Sequence, residues 1–351
     1  MNLKDYGFTP DLIPDSDELP ARVTAVHRER YTLASDNGEI YGRLKSKEYY
    51  DGNEAFPTAG DFVLVNYNPD GDSQIVRTLP RRTLFTRRDP TPGRGMQAVA
   101  ANFDYVFILQ SLNHDFNERR LERYLALAWE SGALPVVLLT KSDLVSDYGE
   151  YLRRAERLAV GTAVYAVSSR TKAGLDSLVE YLRPGKTIVL LGSSGVGKSS
   201  FVNSLAGEDI MAVNEIREDD SRGRHTTTHR QLIMLKNGVM IIDTPGMREL
   251  GLGEVTGGLD EAFSDVGQYI GRCKYRDCTH TNEPVCAILA AIERGELPRE
   301  RWESYKSLGS ESEYTNDKLA YLRKKQQRNK DIAKLNRQRE KHDKRRGNDR
   351  Y

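Results

Sequence analysis

The chain has 351 residues, and its 52 Lys and Arg against 51 Asp and Glu give a formal net charge of +1. This length predicts two or three domains with ample chain for a buried core. No stretch reaches the roughly 20 apolar residues of a membrane span, and residues 1–5 lack the basic and apolar regions of a signal peptide. Three cysteines, a small and odd number, argue against a disulfide framework and favour a reducing cytoplasm.

Residues 1–82 are predicted to form a lead-in followed by a small β-barrel. Residues 1–19 are acidic and turn-rich and are expected to be loose. Short alternating runs then predict five strands, with Asn37-Gly38 and Pro69-Asp70-Gly71 as turns. The expected strands lie at 22–26, 31–33, 39–44, 61–65 and 74–76. Such spacing is typical of an OB-fold, a barrel that binds RNA, although a structural module without a ligand fits the same pattern.

Five arginines follow at the exit of the barrel. They indicate either an edge that faces phosphate groups or a solvated linker. These residues are Arg77, Arg81, Arg82, Arg87 and Arg88.

From Phe103 onwards, strands alternate with helices, which predicts a parallel sheet in an α/β fold. Asn117 is a suitable cap for a helix that ends near Gly132, because apolar residues follow it at helical spacing. Further helices are expected over about 148–159 and 174–182. The expected strands lie at 104–110, 136–139, 163–167, 187–191, 231–235 and 239–242.

The stretch after the strand at 187–191 has the pattern G-x-x-x-x-G-K-[ST] and precedes a helical pattern. Glycines in this setting turn backbone N–H groups towards phosphate oxygens at a helix N-terminus. Lys198 would reach the β- and γ-phosphates, and the Ser199 hydroxyl would bind Mg²⁺. The sequence therefore predicts a nucleoside triphosphate site. Its residues are Gly192, Ser193, Ser194, Gly195, Val196, Gly197, Lys198, Ser199 and Ser200.

Three other strand ends indicate the base and the chemistry. Asp243-Thr244-Pro245-Gly246 fits D-x-x-G, in which the aspartate lies in the outer shell of Mg²⁺ and the N–H of Gly246 meets the γ-phosphate. Thr140-Lys141-Ser142-Asp143 resembles the N-K-x-D element of GTPases, and Asp143 would select guanine over adenine by on the order of 10⁴. Thr140 replaces the usual Asn, which is expected to loosen this loop. Ser168-Ser169 resembles the S-A-x element, which contacts the base through its backbone, and an ordinary turn between strand and helix is the alternative.

The order of these elements is unusual, because the base-recognition loops precede the phosphate loop. In this arrangement the chain resembles the circularly permuted GTPases, and within them the RsgA family of small-ribosomal-subunit biogenesis GTPases. The resemblance implies that residues 222–228 form the first switch, with Thr227 binding Mg²⁺. Met247 stands where ordinary GTPases carry the glutamine that orients water. The resemblance implies His225 as its substitute, although a solvated loop histidine is the alternative.

All three cysteines fall in one window together with a histidine: Cys273, Cys278, His280 and Cys286. Three thiolates and one imidazole suit a closed, tetrahedral structural zinc site, and the site matches the zinc knuckle of the resembled family. Helices are expected over 287–294 and 301–308. Residues 323–351 carry 13 Lys or Arg against 4 Asp or Glu, which favours RNA binding over a solvated tail.

The sequence therefore predicts an N-terminal OB-fold barrel (1–82), a circularly permuted P-loop GTPase domain (83–253) and a C-terminal helical zinc-binding domain with a basic tail (254–351). The expected function is GTP hydrolysis with Mg²⁺ in late maturation of the small (30S) ribosomal subunit, by a cytoplasmic monomer that binds rRNA and no membrane. A nucleotide-gated RNA-binding scaffold with negligible turnover is the alternative. A P-loop ATPase or kinase is disfavoured by Asp143.

Overall fold

The structure, a computed structural model, describes residues 2–10, 17–27, 30–45, 56–88, 96–112, 115–211, 230–243 and 256–316. Several predictions fall outside these residues: the first switch with His225 and Thr227, the Gly246 of D-x-x-G, and the basic tail. Within the described part of the chain, no helix is long and apolar enough to cross a membrane.

Five strands near the N-terminus close into a barrel. They are β1 (Leu19–Val26), β2 (Tyr31–Ser35), β3 (Gly38–Leu44), β4 (Phe62–Asn66) and β5 (Ser73–Thr78). β1 pairs with both β2 and β4, while β5 joins β3 to β4, so the ring is complete. Val23, Leu33 and Ile75 are fully buried in its core. The prediction of an OB-like barrel is confirmed.

The lead-in is more ordered than the sequence predicts. Leu3–Tyr6 form a 3-10 helix that is capped by the side chain of Asn2. The amide of Leu3 donates to Asp36 at 2.7 Å, and both ends of the helix are buried in the main apolar core. Two apolar residues in so short a segment produce no periodicity, so the expectation of a loose lead-in was wrong here.

A two-stranded hairpin follows the barrel: β6 (Leu84–Arg88) and β7 (Met96–Ala101). These two strands were not predicted from the sequence, because arginines interrupt the alternation of apolar residues. The solvated-linker interpretation is therefore wrong for Arg87 and Arg88, which lie on β6. Phe85 stacks on Phe103, with ring centroids 4.9 Å apart, and so fixes the hairpin to the core.

An α/β region occupies the middle of the chain. Its strands are β8 (Tyr105–Ser111), β9 (Leu134–Thr140), β10 (Ala163–Ala166), β11 (Thr187–Leu191), β12 (Arg230–Met234) and β13 (Met240–Asp243). Their order in the sheet is β10-β9-β8-β11-β13-β12, and β12 alone of these described strands is antiparallel to its neighbour. The helices are α1 (Glu118–Glu130), α2 (Gly149–Leu158) and α3 (Lys198–Ala206). The predicted parallel sheet is confirmed.

One predicted helix of this region is wrong. In place of a helix over 174–182, the chain forms a 3-10 helix at Leu175–Leu178. Gly174 has φ +75°, and a Cβ there would lie 2.2 Å from the carbonyl oxygen of Ala166. The chain must turn sharply at this glycine and reach Pro184 soon afterwards, which leaves little room for regular helix.

Barrel and α/β region share one continuous sheet, because β12 also pairs with β1. Arg22 of β1 reinforces this joint. Its guanidinium is buried and donates to the carbonyl oxygens of Tyr6, Gly60 and Asn102 and to the hydroxyl of Thr187, the first residue of β11. Burial lowers the pKa of Arg22 to about 9, so the group still carries its charge at neutral pH.

The C-terminal part is helical: α4 (Thr256–Ala262), α5 (Ser264–Gly267), α6 (Ala287–Glu293) and α7 (Arg299–Asn316). α4 packs directly on α1 at Gly258, where a Cβ would lie 2.2 Å from the carbonyl oxygen of Ala126. The helices predicted over 287–294 and 301–308 are confirmed, and α7 extends further in both directions. α4 and α5 were not predicted.

Candidate nucleotide site and metal centre

The predicted nucleotide-binding loops meet at one edge of the sheet. β9, β10, β11 and β13 run parallel, so their carboxyl ends point the same way. Thr140 ends β9, Gly192 follows β11, and Asp243 ends β13, where it lies opposite Gln231 of β12. Ser168 follows β10 after a single residue. The topology brings these loops together although they are up to about 100 residues apart in the chain.

The phosphate loop is folded around the amine of its lysine. Lys198 Nζ donates to the carbonyl oxygens of Gly192 and Ser193, both at 2.7 Å. Gly192 must lack a side chain, because a Cβ would lie 2.9 Å from the carbonyl oxygen of Leu109. Gly197 has φ +104° and directly precedes α3, so it has no side chain to cap the amides of the first helical turn. Those amides are the donors that phosphate oxygens use at such a helix end.

Thr140 ties the base-recognition loop to the phosphate loop. Its side chain is 2% exposed, and its hydroxyl donates to the carbonyl oxygen of Val196 at 2.7 Å. The expectation that losing the usual Asn loosens this loop was wrong, since the hydroxyl makes a bond to the neighbouring loop itself. Lys141 follows in the left-handed region with φ +59° and begins a 3-10 turn that carries Asp143.

Asp143 is exposed and oriented by Ser168. The buried Ser168 hydroxyl donates to Asp143 Oδ1 at 2.6 Å and accepts from the amide of Thr171 at 3.1 Å. The resemblance to S-A-x predicts that the backbone of Ser168-Ser169 contacts the base. The structure shows a different role for the Ser168 side chain, which orients the Asp143 carboxylate. Ser169 is half-buried beside it. One oxygen of Asp143 is thus fixed, and the carboxylate is held at the surface of the loop, where a base could reach it.

The four predicted zinc ligands converge. Their ligand atoms all lie within 4.8 Å of one another. The Sγ atoms of Cys273 and Cys286 are 3.9 Å apart, and His280 Nδ1 lies 3.4, 3.5 and 3.3 Å from the Sγ atoms of Cys273, Cys278 and Cys286. A tetrahedral zinc ion with ordinary bond lengths requires about 3.8 Å between sulfurs and about 3.6 Å between sulfur and nitrogen. These four edges are close to those of a tetrahedral zinc site.

Comparison with known proteins decides the family. The family model described as RsgA GTPase matches residues 78–253, about half of the chain. The chain belongs to the RsgA GTPase family. A protein of Listeria monocytogenes named small ribosomal subunit biogenesis GTPase RsgA 1 is 46% identical over 318 residues, 90% of each chain. A Streptomyces avermitilis protein named small ribosomal subunit biogenesis GTPase RsgA is 46% identical over 321 residues, 89% of this chain and 86% of its own.

Solved structures agree with this family membership. YjeQ from Thermotoga maritima is 25% identical and aligns with a TM-score of 0.64 over 84% of this chain and 98% of its own. YloQ, described as a circularly permuted GTPase, shares the fold at 22% identity, with a TM-score of 0.59 over 86% of this chain and 96% of its own. The predicted fold class, a permuted GTPase flanked by a barrel and a Cys₃His group, is confirmed.

An ABC transporter model also matches, over residues 175–344. This span contains the phosphate loop, a motif that many nucleoside triphosphatases share. It leaves out β8, β9 and β10, and with them Asp143 and Ser168. The RsgA family membership accounts for these elements as well, so it is the assignment that fits the whole chain.

The three cysteines of the Cys₃His cluster (the knuckle, residues 273–286) have unequal surroundings. Burial raises the pKa of Cys278 to about 11. Burial also opposes ionisation of Cys273, but hydrogen bonds from the amide of Ala287 and from the other two thiols outweigh it and lower the pKa of Cys273. Cys286 caps the N-terminus of α6, where its sulfur accepts a hydrogen bond from the amide of Leu289. Because Cys278 favours the thiol form at neutral pH, a bound cation would displace its proton.

Two residues that sequence reasoning missed shape this knuckle. Glu283 accepts the hydroxyl and amide of Thr279 and the amides of Thr281 and Asn282, and the Thr279 hydroxyl bond is the main reason that its pKa falls to about 2. The ring of Trp302 on α7 packs edge-on against His280, with centroids 5.4 Å apart. In the sequence Glu283 lies between two of the predicted ligands, His280 and Cys286. This position could have identified it as part of the knuckle before the structure was known.

Proposed function

We propose that this protein hydrolyses GTP during maturation of the small ribosomal subunit and that binding to the subunit stimulates hydrolysis. One observation carries the proposal: in an RsgA-family chain, the base-recognition and phosphate loops meet at one sheet edge and are bonded to each other through Thr140 and Val196. The names of the relatives, which are small ribosomal subunit biogenesis GTPases at 46% identity, support the cellular role.

In this proposal each loop has one task. The amides of the phosphate loop (192–200) surround the phosphates, and Lys198, positioned by its carbonyl partners in the loop, donates to the β- and γ-phosphate oxygens. Asp143 accepts hydrogen bonds from guanine, with Lys141 and the 168–169 turn beside the base. Ser199 and Thr227 are proposed to hold Mg²⁺, which neutralises phosphate charge, with Asp243 in its outer shell and the Gly246 amide on the γ-phosphate.

We assign the orientation of the attacking water to His225 in the first switch. Met247 cannot perform this task, because a thioether donates no hydrogen bond and accepts only weakly. His225→Ala should therefore bind GTP normally but lose the stimulated rate on small subunits. Unchanged stimulated hydrolysis by this variant would show that the assignment is wrong.

We further propose that Cys273, Cys278, His280 and Cys286 hold one structural zinc ion. The measured edges of the cluster and the closed set of four ligands support zinc and a structural role. The proposed domains are 1–82, 83–253 and 254–351, acting in the cytoplasm as a monomer. The barrel, the knuckle and the basic tail are proposed to dock on rRNA phosphates.

The deciding experiment compares phosphate release from GTP by the full-length protein with and without purified 30S subunits. The proposal expects slow turnover alone and strong stimulation by the subunit. A protein that binds GTP but shows no stimulation would instead act as a nucleotide-gated scaffold. Competition of ATP and GTP for a fluorescent GDP tests the base, since Asp143 predicts that GTP displaces the probe far more effectively.

A further inference from the structure

A chain of hydrogen-bonded side chains connects the phosphate loop to the start of α1. The Ser193 hydroxyl donates to Asp115 Oδ2 at 2.5 Å. The same oxygen pairs with Arg120 Nη2 at 3.0 Å, and this nitrogen also donates to Gln110 Oε1 at 3.2 Å. Gln110 is fully buried near the end of β8, so it anchors this network of hydrogen-bonded side chains. Asp115, Arg120 and Gln110 belong to none of the nucleotide-binding motifs described above.

Ser193 connects this network directly to Lys198, the lysine of the phosphate loop. Its side chain is held by Asp115, while its carbonyl oxygen accepts from Lys198 Nζ at 2.7 Å. Both contacts belong to the same residue, so the bond from the hydroxyl to Asp115 restrains the position of the Ser193 backbone from which the carbonyl projects. Only one residue therefore separates the Asp115 carboxylate from the lysine ammonium.

We propose that Asp115 is a positioning residue for the phosphate loop: it holds Ser193 so that Lys198 is aimed at the incoming phosphates, and Arg120 neutralises its charge. This inference rests on the proposed binding of GTP at residues 192–200. The neutralisation matters because a bare carboxylate beside the loop would repel the phosphates of the nucleotide. The Arg120 guanidinium, on the same oxygen, removes that repulsion while leaving the acceptor in place.

The surroundings of Asp115 and Arg120 favour a role in positioning the phosphate loop over a role in stabilising the fold. The side chains of Asp115 and Arg120 are 37% and 25% exposed, and an ion pair this exposed contributes little to folding. Among the residues that the structure describes, Arg120 Nε and Gln110 Nε2 are buried donors without a hydrogen-bond partner.

The test is a double-mutant cycle in the full-length protein, read as the Kd of fluorescent GDP. Ser193→Ala and Asp115→Ala should each weaken binding about tenfold, as expected for one hydrogen bond to a charged group. The double variant should be no weaker than either single variant, because both remove the same bond. Asp115→Asn keeps an acceptor for the hydroxyl and should restore most of the affinity.

The role of Arg120 in neutralising Asp115 is tested by removing the charge of its side chain. Arg120→Met should weaken GDP binding because it leaves the carboxylate uncompensated, and adding Asp115→Asn to it should reverse the loss. The matched control is Glu118→Gln on the same helix, which breaks a surface pair with Arg154 but leaves the contacts among Ser193, Asp115 and Arg120 in place, so the Kd should be unchanged. Melting of the nucleotide-free variants should stay at the wild-type temperature, which a purely structural role would not allow.

The outcomes separate the two claims. If the wild-type protein fails to bind GDP, both this inference and the proposed nucleotide site are wrong. If it binds GDP and Lys198→Ala abolishes binding, the site stands. In that case additive effects of Ser193→Ala and Asp115→Ala, or wild-type affinity in both, would overturn the role of Asp115 alone.

Discussion

Arg301 offers the sharpest test of how the C-terminal helices are attached. It lies on α7 with its side chain 4% exposed, and its guanidinium reaches three groups. It donates to Glu122 of α1 at 2.8 Å, to both oxygens of Asp265 at 3.0 Å and to the carbonyl oxygen of Ala262 at 2.6 Å. One cation therefore joins α1 of the GTPase region to α4, α5 and α7.

Replacing Arg301 with Met removes the cation but keeps an apolar side chain of useful length. Glu122, only 3% exposed, is then left as an uncompensated buried carboxylate. Breaking a buried pair in this way costs about 3–5 kcal/mol, so Arg301→Met should lower the free energy of unfolding by about that amount. Arg301→Met combined with Glu122→Met should cost less than Arg301→Met alone, because the buried carboxylate is also removed and the Asp265 carboxylate that remains is partly exposed to water.

Tryptophan fluorescence during urea unfolding reads this interface directly. The sequence contains only two tryptophans, and Trp129 lies on α1 while Trp302 lies on α7. The matched control is Arg154→Gln, which breaks an exposed pair and should cost less than about 1 kcal/mol. A urea midpoint for Arg301→Met equal to that of the control would refute the reasoning.

Further predictions concern the helix contact and the zinc knuckle. Gly258→Ala should destabilise the protein by about 1–3 kcal/mol in urea unfolding, because its Cβ would overlap the carbonyl of Ala126. Gly257→Ala, with its nearest atom 3.7 Å away, should be neutral or stabilising, and equal effects would contradict the packing argument. Cys273→Ser should lose bound zinc, measured by metal analysis, and lower the first melting transition of the full-length protein while GDP affinity persists. Glu283→Ala should release zinc faster to a chelator than wild type does, since four donors of the knuckle lose their acceptor; an unchanged release rate would show that the loop holds its shape without this carboxylate.

The features that the sequence predicted well are local in the chain. The phosphate loop lies between its own strand and helix, and the predicted metal ligands fall within 14 residues from Cys273 to Cys286. In such segments spacing alone brings the groups together. The alternation of apolar residues likewise placed the barrel strands, since burial of one face requires a period of two.

The features that were missed depend on contacts between distant residues. Arg301 and Glu122 are 179 positions apart, and Asp115 and Ser193 are 78 apart. Nothing in the local sequence of a charged residue reveals whether it will be buried, because the partner that compensates it comes from another element. Thr140 illustrates the same limit, since its hydroxyl replaces an amide only because Val196 lies across the sheet edge.

The pairing of β1 with β12 has a consequence for any shortened form of this protein. β12 has β13 on one side, and on the other side its backbone is covered by the barrel at Arg230 and Gln231. A chain that begins after the barrel would leave this strand as a bare sheet edge, and exposed edges tend to pair with other chains. It would also uncover Thr187 and Met240, which contact Arg22. The barrel therefore covers an edge that would otherwise be exposed, and shortened forms of the protein without it should self-associate at concentrations where the full chain stays monodisperse.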